Sequence, residues 1–147
     1  MEARVVREPD GFSVLGSEIV PLADSTATSG TFELLELRIG AEGHSPLHTL
    51  GTDKVFFVLE GEVQVTLDLD DVSVAAGAVV HVPAGTPHRY VNRSGRPARM
   101  LVATAGAGHV AFLRGMHTLT ADGPPDPHAL ATHAVTHHVR ILAPNAR

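Results

Sequence analysis

The chain predicts an all-β sandwich or barrel. Three observations carry that expectation. Apolar and polar residues alternate with a period of two in segment after segment, glycine, proline and aspartate cut these segments roughly every eight to twelve residues, and only about the last forty residues depart from the rhythm. At 147 residues the chain fits one domain with one core, in the size range where folding buries roughly two-thirds of the unfolded surface.

In order, "FSVLGSEIVPLA" (12–23) reads as an early strand, and "TFELLELRIG" (31–40) alternates Glu33, Leu35, Leu37 and Ile39 against Phe32, Leu34, Glu36 and Arg38. "KVFFVLEGEVQVTLDLDDVSV" (54–74) reads as a hairpin turning at Glu60–Gly61, with Val63, Val65, Leu67 and Leu69 on one face and a second turn at Asp70–Asp71. "GAVVHVPAGTPHRYVN" (77–92) supplies two strands around a Pro83–Ala84–Gly85 turn, and "ARMLVATA" (98–105) another. Beyond it, Asp126 is a helix N-cap candidate with Pro127 at the first helical position, helix-tolerant residues follow to about His138, and "VRIL" resumes an apolar rhythm before Pro144. The expected organisation is one domain over 1–147. It comprises N-terminal strands to about residue 30, a barrel core over 31–105, and a strand, helix and strand over 106–147.

Composition excludes several functions. With 44% hydrophobic and 18% charged residues and no apolar run near the roughly 20 residues of a membrane helix, no membrane partner is expected. The N-terminus is charged and lacks the apolar centre of a signal peptide, and cysteine is absent, so a cytoplasmic protein is expected. Net charge is −5 and the arginines are scattered, which argues against a nucleic-acid surface.

Two motifs narrow the family. Gly77, Pro83, Gly85, His88 and Asn92 stand at the spacing of the second motif of the cupin superfamily, and the segment around them resembles it at each signature position. "PLHTLGTDKVFFVLEGEV" (46–63) resembles the first motif, which in the family carries two histidines one residue apart, a glutamate three or four residues later, and a glycine seven beyond that. Counting back from Gly61, the glutamate position holds Lys54, the second histidine position Leu50, and the first His48. The second motif is intact and the first degenerate. The resemblance implies a cupin-type barrel (double-stranded β-helix, or jelly roll) of two packed antiparallel sheets with a short C-terminal helix. It also implies a pocket at one mouth, a homodimer, and often iron, manganese, nickel, copper or zinc. The C-terminal region resembles the tails of small bacterial cupins, some quercetin-dioxygenase-like or from polyketide pathways.

Strand alternation puts His48 with Leu50, Lys54 with Phe56 and Val58, and His88 with Tyr90 and Asn92 on shared faces, and these sets are expected to line one cavity. Two histidines make an incomplete metal site, since a transition metal takes three or four ligands. His81, on the strand before Pro83, and His44 are the residues available to extend it. Lys54 is the one lysine beside ten arginines. An ammonium there repels a dication and offers a substitute charge for a substrate carboxylate or developing enolate; the alternative is that it snorkels out to Asp53 or solvent. Asp53 itself should point away from the cavity by alternation. Leu50, Phe56, Val58 and Tyr90 suit a small hydrophobic organic ligand. His128, His133, His137 and His138 are expected on a solvated helix face.

Three functions remain open. The first is a metal-independent isomerase, cyclase or dehydratase on a hydrophobic metabolite, with His48 and His88 as acid/base groups and Lys54 or Tyr90 as oxyanion stabiliser. The second is a metal-dependent dioxygenase-like enzyme using His48, His88 and an unusual third ligand, and the third a non-catalytic binding module. The first carries the expectation of no cofactor and the second that of a divalent transition metal.

Overall fold

The computed structural model describes residues 3–142, in which the alternating segments become two antiparallel sheets packed face to face. The strands are β1 (Phe12–Val14), β2 (Ser17–Ala23), β3 (Phe32–Ile39), β4 (His48–Leu50), β5 (Lys54–Glu60), β6 (Glu62–Leu67), β7 (Asp70–Ala75), β8 (Val79–Val82), β9 (His88–Val91), β10 (Ala98–Ala105) and β11 (Val139–Ile141). One sheet runs β1-β2-β3-β10-β5-β8 and the other β11-β4-β9-β6-β7. Three helices interrupt them: α1 (Ser25–Thr28), α2 (His109–Thr120) and α3 (Pro127–Thr136).

Alternation decides what is buried. Leu35, Leu37 and Ile39 of β3 face Val102, Met100 and Ala98 of β10 in register, and all six are buried. Val63 and Val65 bring the second sheet's face onto the same core. Such inner faces supply most of the stabilisation, at about 25 cal/mol per Å² of apolar surface removed from water.

Several turns differ from the sequence expectation. The 12–23 segment is two strands folded back at Leu15 and Gly16, both with positive φ. Glu60–Gly61 is no hairpin turn. β5 pairs with β10 and β8 whereas β6 pairs with β7 and β9, so Gly61 carries the chain from one sheet to the other. Its φ of +81° is left-handed, and a Cβ there would stand 3.0 Å from the Cβ of Ala98, a position only glycine fills without strain. Period-two alternation is the same whichever sheet a strand joins, which is why the sequence suggests a local pairing. The second turn sits at Asp68–Leu69, before the aspartate pair at 70–71, because Asp68 takes the left-handed conformation that Asp tolerates. Leu69 is consequently exposed at the tip.

The C-terminal extension is helix, helix and strand. Where the sequence suggests a strand after residue 105, α2 forms, because His109, Phe112 and Met116 repeat at helical spacing and bury one face against the barrel. α3 begins as expected: the Asp126 carboxylate accepts from Ala129 N at 3.1 Å, and Pro127 follows. It ends at Thr136, and β11 then pairs with β4 on the edge of the second sheet. Pro144 and the tail lie outside the described residues. No helix among those described is long and apolar enough to cross a membrane.

Candidate functional site

His48 and His88 sit directly opposite each other on β4 and β9, with ring centroids 4.2 Å apart. Each ring is fixed by its own strand's approach: Nδ1 of His48 donates to the carbonyl of Pro46 and Nδ1 of His88 to that of Thr86, both at 2.8 Å. A carbonyl only accepts, so each proton is on Nδ1 and each Nε2 carries a lone pair. From the facing sheet, Lys54 at the start of β5 reaches between them. Its Nζ is 3.1 Å from Nε2 of His88 and 3.5 Å from that of His48, and 5.1 Å from the centroid of the Phe56 ring.

Lys54 is 4% exposed, so the alternative in which it snorkels to solvent is not what the structure shows. Burial lowers its pKa from 10.5 to about 7. Burial, with the neighbouring Lys54 charge as a second cause, holds His88 at about 3 and His48 well below its ordinary value. Near neutrality the two imidazoles are uncharged acceptors and Lys54 is the group that exchanges a proton.

Lys54 and His48 line an apolar cavity with about 40 Å³ of room for the centres of water-sized molecules, enough for two or three waters, while His88 touches Lys54 without lining it. Phe56 and Tyr90 line it as expected, together with Leu35, Leu37 and Val102 of the barrel and Phe112, Leu113 and Met116 of α2. The Tyr90 hydroxyl lies 3.4 Å from Ser17 Oγ, and burial raises its pKa, which keeps it protonated.

Other expected residues lie elsewhere. Leu50 and Val58 are buried in the core and do not line the cavity. Asn92 is a structural pin: its Nδ2 donates to the carbonyls of Gly40 (3.0 Å) and Arg96 (2.6 Å), and its Oδ1 accepts from Ser94, closing the loop after β9. His81 faces outward at 60% side-chain exposure, beside Asp53 at 3.6 Å. Alternation along β8 buries Val80 and Val82 instead. Asp53 also accepts from Ala84 N and so points away from the cavity, as expected. His44 stands at the exposed rim.

The C-terminal histidines are not all on a solvated face. His133 is half-buried, donates from Nε2 to the Phe112 carbonyl at 2.9 Å, and stacks on the Phe112 ring at 5.5 Å. Gly115 makes that approach possible, because a Cβ there would lie 2.0 Å from the His133 ring. His137 packs against His133, while His128 and His138 are exposed.

Two groups of the site carry no motif that marks them in the sequence. His109, the first residue of α2, is 8% exposed, lines the cavity, and has a buried Nδ1 without a hydrogen-bond partner. Glu33, buried on β3, accepts from His109 N (2.7 Å), Val110 N (3.1 Å) and Ser25 N (3.0 Å), which ties α2 to the barrel. A charged residue in phase with Leu35, Leu37 and Ile39 is the one signal for Glu33; His109 lies beyond both motifs.

Residues 33–104 match the family model described as a cupin domain. With this fold, the chain belongs to the cupin superfamily. It is 33% identical over 109 residues, 74% of its length, to a quercetin 2,3-dioxygenase from Bacillus subtilis strain 168, of which it covers 30%. The chain spans about a third of the length of the curated relatives it matches. Among solved structures it is similar to the polyketide cyclase RemF from Streptomyces resistomycificus, with TM-score 0.64, 25% identity, 71% of this chain and 80% of that one covered. A sugar phosphate isomerase from Silicibacter pomeroyi DSS-3 shares the fold at TM-score 0.56 and 24% identity, over 63% of this chain and 61% of that one.

Cupins often hold a metal where His48, Lys54 and His88 meet, and the donor set here does not fit one. The second histidine position is Leu50, the carboxylate position is an amine that itself engages both imidazole lone pairs, and among the described residues no three His, Cys, Asp or Glu side chains converge. A dication would have to displace Lys54 and would then have two protein ligands.

Proposed function

We propose that the chain is a metal-independent cupin enzyme of the isomerase, cyclase or dehydratase kind, acting on a small hydrophobic metabolite. The observation that carries this reading is the Lys54 amine, held between the Nε2 atoms of His48 and His88 and lining an apolar cavity. A base with a pKa of about 7 is matched to proton transfer at neutral pH. As the free amine, Lys54 takes a proton from a carbon beside a substrate carbonyl. The resulting ammonium, steadied by the two imidazole lone pairs, stabilises the enolate oxygen and returns the proton to a different atom of the same molecule, so no external reductant or oxidant is consumed. Apolar walls exclude water from the enolate, and the protonated Tyr90 hydroxyl is a further donor at the wall. The likeness to a polyketide cyclase supports a carbonyl-rich substrate.

The test uses untagged protein purified without an immobilised-metal column, assayed for metal content by mass spectrometry and for turnover of small β-dicarbonyl substrates that the cavity can admit. Turnover should survive chelation and fall about 10²- to 10⁴-fold in Lys54→Met, the range typical of general acid–base catalysis. Near-stoichiometric metal that disappears in a His48→Ala/His88→Ala double variant, or turnover abolished by chelators, overturns the reading in favour of a metal-dependent enzyme of the dioxygenase kind. Saturable ligand binding without turnover would make the chain a binding module.

A further inference from the structure

The charge balance of the cavity is unusual. Lys54 is buried and has no carboxylate partner among the described residues; both of its hydrogen-bond partners are neutral imidazole nitrogens. Among the described residues no aspartate or glutamate lines the cavity, although acidic residues outnumber basic ones in the chain, 16 to 11. The buried carboxylates of β3 are committed elsewhere: Glu33 to the backbone N–H groups of Ser25, His109 and Val110, and Glu36, on the opposite face of the strand from Leu35 and Leu37, to Arg38 and Arg99. A buried cation without a counter-charge is costly. A second polar group is also left over, since Nδ1 of His109, buried on the α2 side of the same cavity, lacks a partner. Beyond the His48 ring and His44 at the rim, the rest of the lining is apolar apart from the Tyr90 hydroxyl, 3.4 Å from that of Ser17, and Ser45, whose Oγ accepts from Tyr90 N. The protein supplies a cation and, in the Nδ1–H tautomer of His109, a donor, and its missing complement is an anion with an apolar body.

We infer that the ligand of this cavity is a hydrophobic organic acid, a carboxylate, phenolate or stabilised enolate, whose oxygen anion pairs with Lys54 and whose second polar contact is His109. The inference rests on the metal-free reading of the site and narrows it to a substrate class. It also assigns α2 a part in recognition. His109 lies outside the 33–104 family segment, so the barrel supplies the cation and the appended helix the second contact.

Because Lys54 is the single lysine of the chain, protein labelled with ¹³C-lysine reports this one side chain. At constant pH near 7 and constant ionic strength, formate and acetate, small enough for the cavity, are titrated against their neutral isosteres formamide and acetamide, with sodium chloride as the salt control. The acids should move the Lys54 Cε resonance saturably toward its ammonium position. The amides should bind at least about tenfold more weakly, the difference expected when a charge-assisted hydrogen bond is lost. In His109→Phe, which keeps a ring of similar size, acid affinity should fall while the saturated Cε position stays where it is. Binding of acid and amide with equal affinity, an effect of chloride equal to that of acetate, or a Lys54 resonance that none of the compounds moves would each overturn the inference. Acid affinity unchanged in Lys54→Met would do the same. The metal-free reading is judged separately: stoichiometric bound metal refutes it whatever the acids do, and an amide binding as well as its acid leaves it standing.

Discussion

Lys54 is where sequence, fold and chemistry meet most closely. Its nitrogen stands over the Phe56 ring, 5.1 Å from the centroid, and spends two donors on imidazoles, so the residue is well seated and still expensive. Replacing a buried charge by an apolar side chain of similar length is commonly neutral or stabilising. Lys54→Met should therefore raise stability by about 1–4 kcal/mol near neutral pH while removing activity, a trade measurable by urea denaturation beside the turnover assay. A loss of stability instead would mean that the two imidazole contacts outweigh the desolvation of the ammonium. The trio of His48, Lys54 and His88 is legible in the sequence, since motif spacing fixes the positions and strand alternation turns them the same way. Leu50, Val58 and Asn92 share those faces, and the same reasoning sends them to the cavity as well. Alternation separates inward from outward but says nothing of depth along the barrel axis, and depth decides whether an inward side chain lines a cavity, fills the core, or, like Asn92, pins a loop.

Among elements, α2 has the most to do and is the least legible. The signals for it exist in the spacing of His109, Phe112 and Met116, yet the segment follows a strand and lacks a side-chain N-cap; its N-terminus is satisfied by Glu33, seventy-six residues earlier in the chain. A capping group so distant cannot be read from local pattern. The consequence is a helix that packs its apolar face on the barrel but has its first N–H groups satisfied by one buried carboxylate. Glu33→Ala should cost about 2–4 kcal/mol, as two charge-assisted bonds to α2 and one to Ser25 are lost. Amide hydrogen exchange should rise mainly in α1 and α2, leaving β5, β9 and β10 protected. Uniform loss of protection across both sheets would show that Glu33 supports the barrel itself and not the helix that lines its cavity. By contrast, α3 is legible through its first residues: Asp126 and Pro127 form the expected start, and Asp126→Ala should cost about 1 kcal/mol. The crossings at Gly61 and at the Pro83–Gly85 turn follow the opposite rule, because their strands are clear in the sequence and their partners are not.

For the molecule as a whole, the buried basic site should set the pH dependence of stability. Lys54 has a pKa of about 7 when folded against 10.5 when exposed, and His88 about 3 against 6.5, with His48 and His109 shifted in the same direction by burial first and the Lys54 charge second. In each case the unfolded chain binds the proton more readily, so between the two values stability rises with pH, at about 1.4 kcal/mol per pH unit for each proton involved. The histidine contribution is therefore lost as pH falls from 6.5 toward 3, and the lysine contribution as it falls from 10.5 toward 7. Glu36, lowered by its hydrogen bond to Arg99, acts in the same sense in acid. Tyr90 acts oppositely, because burial raises its pKa above 10 and the unfolded chain then ionises first. The sum keeps stability rising through neutrality into the alkaline range, beyond the roughly 5–8 usual for folded proteins. Urea denaturation from pH 5 to 10 at fixed ionic strength should show stability of the native chain still climbing beyond pH 7. Lys54→Met should flatten that upper limb and leave a shallower acid limb, since burial, the larger cause of the histidine shifts, remains. Parallel profiles for the two proteins above pH 7 would mean that Lys54 keeps its ordinary proton affinity in the fold. The proton exchange assigned to it near neutrality would then fail along with the stability argument, since both draw on the same desolvated amine.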